Sequence, residues 1–220
     1  MESYDADDSL ETYRRDTIHR EGMCAPLGEH DDRFDPITEA TGQMLVRIDA
    51  KRDEVQHAED LLIRASAAEK AMRIRTSAAY KDVRLRLAAD AADRYRTILP
   101  ITPSAVGSAG IKRCVTIVER SIVTLRDPSI PELIRTVHVP VLEAELGRLR
   151  TADLAEDEVA ANMAALRIAV ALFKTGLEKD RQAQYGELVK IVGKQDADEF
   201  FLSTRRTRTE KEPVLPTPGG

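Results

Sequence analysis

The chain has 220 residues, 42% of them hydrophobic and 32% charged, and its 33 basic and 38 acidic side chains give a net charge of −5. A chain of this length can bury one sizeable core or two small ones, and so mild a charge balance favours neither a general nucleic-acid-binding protein nor a polyanionic one. Aromatic residues make up 4% and Trp is absent, so we predict an aliphatic, Ala-rich core, which suits packed helices better than a sheet.

Cysteine content and hydropathy predict a soluble, cytoplasmic protein. Cys24 and Cys114 are far apart in the sequence, so a disulfide framework is not expected. The N-terminal stretch is acidic and lacks the basic and apolar regions of a secretory signal, and no apolar run approaches the roughly 18 residues of a membrane span. We expect Cys24 to be exposed in a flexible arm and Cys114 to be an inert residue of an apolar helix.

The two ends of the chain differ in composition from the centre. Residues 1–35 hold few apolar side chains and predict a mostly flexible acidic arm with one short helix near Ser9–Ile18. Residues 203–220 lack hydrophobic periodicity and carry three prolines, which is typical of a disordered tail. The helical bundle is therefore predicted to occupy residues 36–202.

A long helix is predicted to follow Asp35-Pro36, an N-cap residue and a proline in the first helical position. No Gly or Pro occurs from residue 43 to 99. The middle of this run has a weak apolar seam, and Ser66-x-x-Glu69 has the spacing of a capping box. The sequence leaves open one long, kinked helix or two helices; the absence of a breaker favours one.

Three further helices are predicted after a loop that begins at Pro100. The first covers residues 111–126, with apolar residues at alternating spacings of four and three. The second, over 131–150, is expected to kink or restart at Pro140. The third is expected to begin at the capping box Asp153-x-x-Glu156 and to end at Gly193. With short loops between them, four to five helices, two of them long, predict an all-α, elongated antiparallel bundle with flexible tails.

The motif EVQH places Glu54 and His57 at the Glu-x-x-His spacing of carboxylate-bridged di-metal bundles. Both lie off the predicted core stripe, and the residue three before His138 is Arg, so no second motif exists. We interpret the pair as solvated and His138 as a structural histidine, and we predict no metal and no cofactor.

A basic stripe is the strongest candidate for a binding surface. On a helix, Lys70, Arg73, Lys81 and Arg84 fall within a narrow sector beside the core seam. Such a stripe can bind phosphates or an acidic partner, or form a solvated face. The glycine-flanked loop 107–110 could bind an anion at a helix start, but a lone glycine pair is a weak signal and we interpret it as an ordinary helix entry.

No nucleotide-binding or nucleophile motif occurs in the chain, and no constellation of inward polar residues predicts catalysis. Polar residues interrupt the predicted apolar seams at 66–76 and at 180–184, and the two stretches could form a polar layer if they faced each other. They contain Glu69, Thr76, Asp180, Arg181 and Gln184. The leading hypothesis is a non-enzymatic scaffold or adaptor that binds a protein partner or forms a homo-oligomer. The alternatives are a small-ligand or metal-binding bundle with a buried polar layer, and an anion or nucleic-acid binder that uses the basic stripe.

Overall fold

The protein is all-α, and the computed structural model describes residues 9–90 and 94–202, in which no strand occurs. Four helices have 15 residues or more: α1 (Leu10–Gly28), α2 (Asp35–Asp90), α5 (Ile111–Leu125) and α6 (Val139–Val192). The short helices are α3 (Tyr95–Ile98), α4 (Pro103–Ser108) and α7 (Lys194–Asp198). The prediction of an all-α bundle with two long helices is confirmed.

The N-terminal segment differs from the predicted arm, because α1 continues to Gly28 and buries part of its surface. Ser9 caps this helix by accepting a hydrogen bond from the backbone N–H of Thr12 at 3.2 Å. Cys24, expected to be exposed, is fully buried. The expectation of a mostly flexible segment is therefore wrong for residues 10–28, while the predicted tail at 203–220 lies outside the described residues.

The first long helix is continuous from Asp35 to Asp90, which settles the choice between one helix and two. A 3-10 turn, Asp32–Phe34, precedes it, and the Asp31 side chain accepts from the N–H of Arg33. The capping-box interpretation of Ser66 and Glu69 is wrong, since both lie inside the helix.

The predicted break between residues 150 and 153 is also absent, since α6 runs through it. Ser66 and Glu156, each taken from a supposed capping box, instead lie on neighbouring helices, and the Ser66 hydroxyl donates to Glu156 Oε1 at 2.9 Å. The irregularity expected at Pro140 is real: a π-helical turn, Ile134–His138, comes directly before it. The wider turn accommodates a residue that has no N–H to donate.

The chain divides into two compact units, one of residues 1–55 with 167–220 and the other of residues 56–166. In the second unit, α2, α5 and α6 enclose an aliphatic core that includes Val83, Val118, Ile122, Leu142 and Leu149. The first unit has smaller clusters, in which Phe34 stacks on Phe200 with ring centroids 6.2 Å apart. The low aromatic content thus leaves most of the second unit's packing to Leu, Ile and Val, as predicted.

Candidate interaction surface

A groove of about 760 Å³ lies between α2 and α6 in the second unit. The two helices run antiparallel here, because Arg75 of α2 meets Glu145 of α6, whereas the earlier Ser66 meets the later Glu156. Its lining is mostly Ala and branched aliphatic side chains between charged residues: Arg75, Ala78, Ala79, Asp82, Val83, Leu85, Arg86, Ala89, His138, Val141 and Glu145. The groove is an apolar channel with a charged rim.

Large apolar side chains in and beside this groove are in contact with solvent. Ile74, Leu85, Val137 and Val141 are between 48% and 61% exposed. Ile74 and Val137 each precede a groove residue by one helical turn, so they extend the same faces of α2 and α6. Single exposed aliphatic residues are ordinary on protein surfaces, but several on adjoining helix faces are typical of a contact site.

Polar groups on the α6 side of the groove centre on Glu145, which is buried. Its Oε1 accepts from Arg75 at 2.9 Å and from Arg148 at 2.5 Å. The Thr76 hydroxyl donates to the Met72 carbonyl at 2.9 Å and also lies 3.3 Å from the backbone carbonyl of Glu145. The other carboxylate oxygen, Oε2, is buried and accepts no hydrogen bond from the described residues. A buried acceptor without a donor costs free energy.

Of the four basic side chains in the predicted stripe, two are exposed and two contact other parts of the fold. Lys70 and Lys81 are exposed on α2. Arg73 instead donates to the carbonyl of Ala109 at 3.3 Å, and the Arg84 guanidinium lies 5.5 Å from the ring centroid of Tyr95. Half of the stripe therefore packs against the segment between α2 and α5, and Lys70 and Lys81 stay exposed.

The polar residues of the two interrupted seams bond within their own units. Thr76 of the second unit lies near Glu145, while Arg181 and Gln184 of the first unit bond to Asp16 and Arg20. Asp180 pairs with Arg47 at 2.9 Å on the surface of that unit. Each unit thus has buried polar groups of its own, and a ligand-binding polar layer stays a prediction.

In the first unit, a buried charged cluster joins α1, α6 and the segment after α7. Asp16 accepts from Arg20, from Arg181 Nε at 3.0 Å and from the backbone N–H of Leu202 at 2.9 Å. The guanidinium carbon atoms of Arg20 and Arg181 lie 4.3 and 5.0 Å from the ring centroid of Phe201. The cluster thus fixes the C-terminal end of the described chain to α1.

The Glu-x-x-His motif lies on the surface, as its helical position predicted. Glu54 and His57 are both exposed, and Glu54 pairs with Lys51. His138 lies in the π-helical turn and lines the α2/α6 groove. Among the described residues, no group of three or more His, Cys, Asp and Glu side chains is placed to hold a metal ion.

Both cysteines are buried and free. Burial raises the pKa of the Cys24 thiol to about 11, and it also raises the pKa of Cys114. A raised pKa reduces the thiolate fraction at neutral pH and with it the nucleophilicity of the sulfur. The expectation that Cys114 is an unreactive core residue agrees with this environment.

The loop at 107–110 forms the end of α4 and the start of α5, with Gly110 in the N-cap position. Gly107 packs so closely on α2 that an added Cβ would lie 3.0 Å from the Ser77 hydroxyl oxygen. This close approach explains the glycine through packing, without an anion.

The sequence analysis missed the groove, although a signal was present. Ile63, Ile74 and Leu85 recur every 11 residues, a spacing that returns to within about 20° on an α-helix. This line faces away from the buried Thr76 and Tyr80, and Leu85 forms the outer edge of a groove whose inner side includes the buried Val83. A second apolar line on a helix that already has a core stripe predicts a second contact.

One helical segment, Ile134–Val192, reaches the length and composition of a membrane span, with a window of mean hydropathy 1.3 that is 6% buried. Core helices of water-soluble proteins reach the same hydropathy when they are mostly buried, which this window is not. The absence of a span stays a prediction. A comparison with known protein families, curated proteins and solved structures finds no match to this chain.

Proposed function

We propose that this protein is a non-enzymatic cytoplasmic scaffold or adaptor that binds another protein helix in the α2/α6 groove. The observation that carries the proposal is the exposed apolar lining of that groove, especially Leu85 and Val141. A helix with one apolar face fits such a channel, as in the helix-in-groove mode of recognition.

The packing of the second unit leaves space for a fourth helix beside α2 and α6. Its core is built from α2, α5 and α6, and α5 covers the pair on the side of Val118 and Ile122. The groove of the α2/α6 pair carries no helix of the described chain. Bundles of four helices bury both sides of such a pair.

Covering this groove supplies part of the free energy of a specific contact, and the apolar face of the partner supplies the rest. Fully burying a Val, Leu or Ile side chain contributes roughly 1.5–3 kcal/mol, so covering four that are about half exposed contributes on the order of 3–6 kcal/mol. Association also costs translational and rotational freedom. We therefore expect moderate affinity, to which the charged rim contributes orientation.

The other two functions have less support. The buried polar groups of the first unit bond to one another around Asp16, which favours a structural role over ligand binding. The basic stripe retains only Lys70 and Lys81 as exposed members, and so few phosphate contacts predict weak binding of nucleic acid.

The experiment compares protein capture by wild-type chain, by Leu85→Glu and by Val123→Glu as baits in extract of the native host. Val123 is 72% exposed on α5 and provides a matched control for an added charge on an exposed aliphatic position. We expect the Leu85→Glu bait to lose proteins that both other baits retain. A further copy of this protein counts as one of the captured proteins. Identical recovery by all three baits would refute a contact in the groove.

A further inference from the structure

The rim of the α2/α6 groove carries an acidic and a basic side chain one helical turn apart on α2. Asp82 and Arg86 are both exposed, and neither forms an ion pair with another residue in the described part of the chain. Leu85 lies between them and is also exposed. Opposite charges at this spacing can pair within one helix, but here neither side chain pairs within the described residues, so each is available for an intermolecular contact.

We propose that a second copy of this chain covers the groove, with its own α2 running antiparallel across a two-fold axis that passes between Asp82 and Arg86. This inference rests on the proposed function, because it names the partner of the same groove. In a two-fold contact, residue i meets residue j of the partner and residue j meets residue i. Asp82 then faces Arg86 of the other copy, and Arg86 faces its Asp82.

The size of the side chains near the axis suits close approach. Leu85 of the two copies would meet at the centre, and Ala78 and Ala89 of the groove lining leave space beside it. Small residues next to a large one let two helices approach while the large side chains interdigitate. One helix face thus supplies two ion pairs and a central apolar contact.

The exposed apolar area sets the expected strength of this dimer. Four aliphatic side chains of about 100 Å² each, roughly half exposed, offer about 200 Å² per copy. A standard interface buries about 800 Å² per partner, of which about 450 Å² is apolar. The groove supplies about half of that apolar area, so we expect a dimer that dissociates in the micromolar range.

The experiment is sedimentation velocity of the purified full-length protein across roughly 1–200 µM, which brackets a micromolar Kd. We expect the mass of wild type to rise from one chain towards two. Leu85→Glu should raise Kd at least tenfold, while Val123→Glu should leave it unchanged. Circular dichroism of each variant reports whether the helices are retained.

A charge exchange tests the two-fold axis itself. Asp82→Arg alone and Arg86→Asp alone should each dimerise at least tenfold more weakly than wild type, because each would oppose like charges across the axis. An equimolar mixture of these two variants should regain the dimer, since all the exchanged charges then face opposite partners. A misfolded variant would not regain it.

A monomeric wild type at the highest concentration would overturn the dimer, as would a dimer that Leu85→Glu leaves intact or a mixture that does not reassociate. If the purified chain is monomeric yet captures another protein through Leu85, the proposed function stands and the second copy is rejected. If neither self-association nor capture depends on Leu85, both proposals fail.

Discussion

Replacing Asp16 with Asn is expected to destabilise the first unit strongly, because this buried carboxylate forms ion pairs with two buried guanidinium groups, those of Arg20 and Arg181. Asp16, Arg20 and Arg181 are each at most 1% exposed. Asn keeps the shape of the side chain but removes its charge. Removing one partner of a buried ion pair typically costs 3–5 kcal/mol, because the remaining charges stay buried without compensation.

Thermal unfolding and hydrogen exchange measure this effect. For a protein of this size, about 3–5 kcal/mol corresponds to a fall in Tm of roughly 6–20 °C. The amide of Leu202 donates to Asp16 Oδ1 at 2.9 Å, so the segment from Lys194 to Leu202 should exchange faster in Asp16→Asn than in wild type. Local loss of protection there would place the damage at the cluster.

Asp49→Asn is the matched control, since Asp49 also pairs with an arginine of α1. Arg14 Nε donates to Asp49 at 2.6 Å, but the Asp49 side chain is 41% exposed. Solvent screens such pairs, and their loss typically costs less than about 1 kcal/mol. Equal effects of the two substitutions, or a change below about 1 kcal/mol for Asp16→Asn, would refute the reasoning from burial.

Three further outcomes follow from the structure. Leu142→Ala removes a fully buried side chain and should cost about 2–5 kcal/mol in urea unfolding, against less than about 0.5 kcal/mol for the exposed Leu154→Ala. Gly193→Ala, at a φ of +88°, should cost roughly 1–2 kcal/mol by the same measurement, because a Cβ disfavours this conformation. Cys24, with its pKa raised to about 11, should react with a thiol reagent at pH 8 far more slowly in the native than in the denatured protein; equal rates would contradict its burial.

The raised pKa of Cys24 also fixes the sign of its pH dependence. The thiol ionises in the unfolded chain near its ordinary value of 9.0 and in the folded chain near 11. The folded state therefore binds more protons between these values, and its contribution to stability is complete below pH 9 and is lost as the pH rises towards 11. Cys24→Ala should reduce the slope of stability against pH in this window.

The sequence by itself determined the helices that carry a continuous amphipathic period. Apolar residues spaced by three and four identified α5, and the observed helix, Ile111–Leu125, ends within a residue of the predicted one. Gly193 ends α6 as predicted, in a left-handed conformation that glycine adopts without strain. Such features depend on a few neighbouring residues, so the local sequence contains the information.

Only the tertiary structure decided which polar residues lie inside. Asp16 and Arg20 gave α1 the composition of a flexible arm, yet they are buried, because folding brings in Arg181, 165 residues from Asp16, as a second partner of the Asp16 carboxylate. Likewise, Ser66 and Glu156 resembled helix caps until the pairing of α2 with α6 brought them together. Local spacing cannot reveal a partner that folding supplies from a distant part of the chain. It indicates the exposed apolar line through Leu85, but only the fold places Val141 of α6 in the same groove.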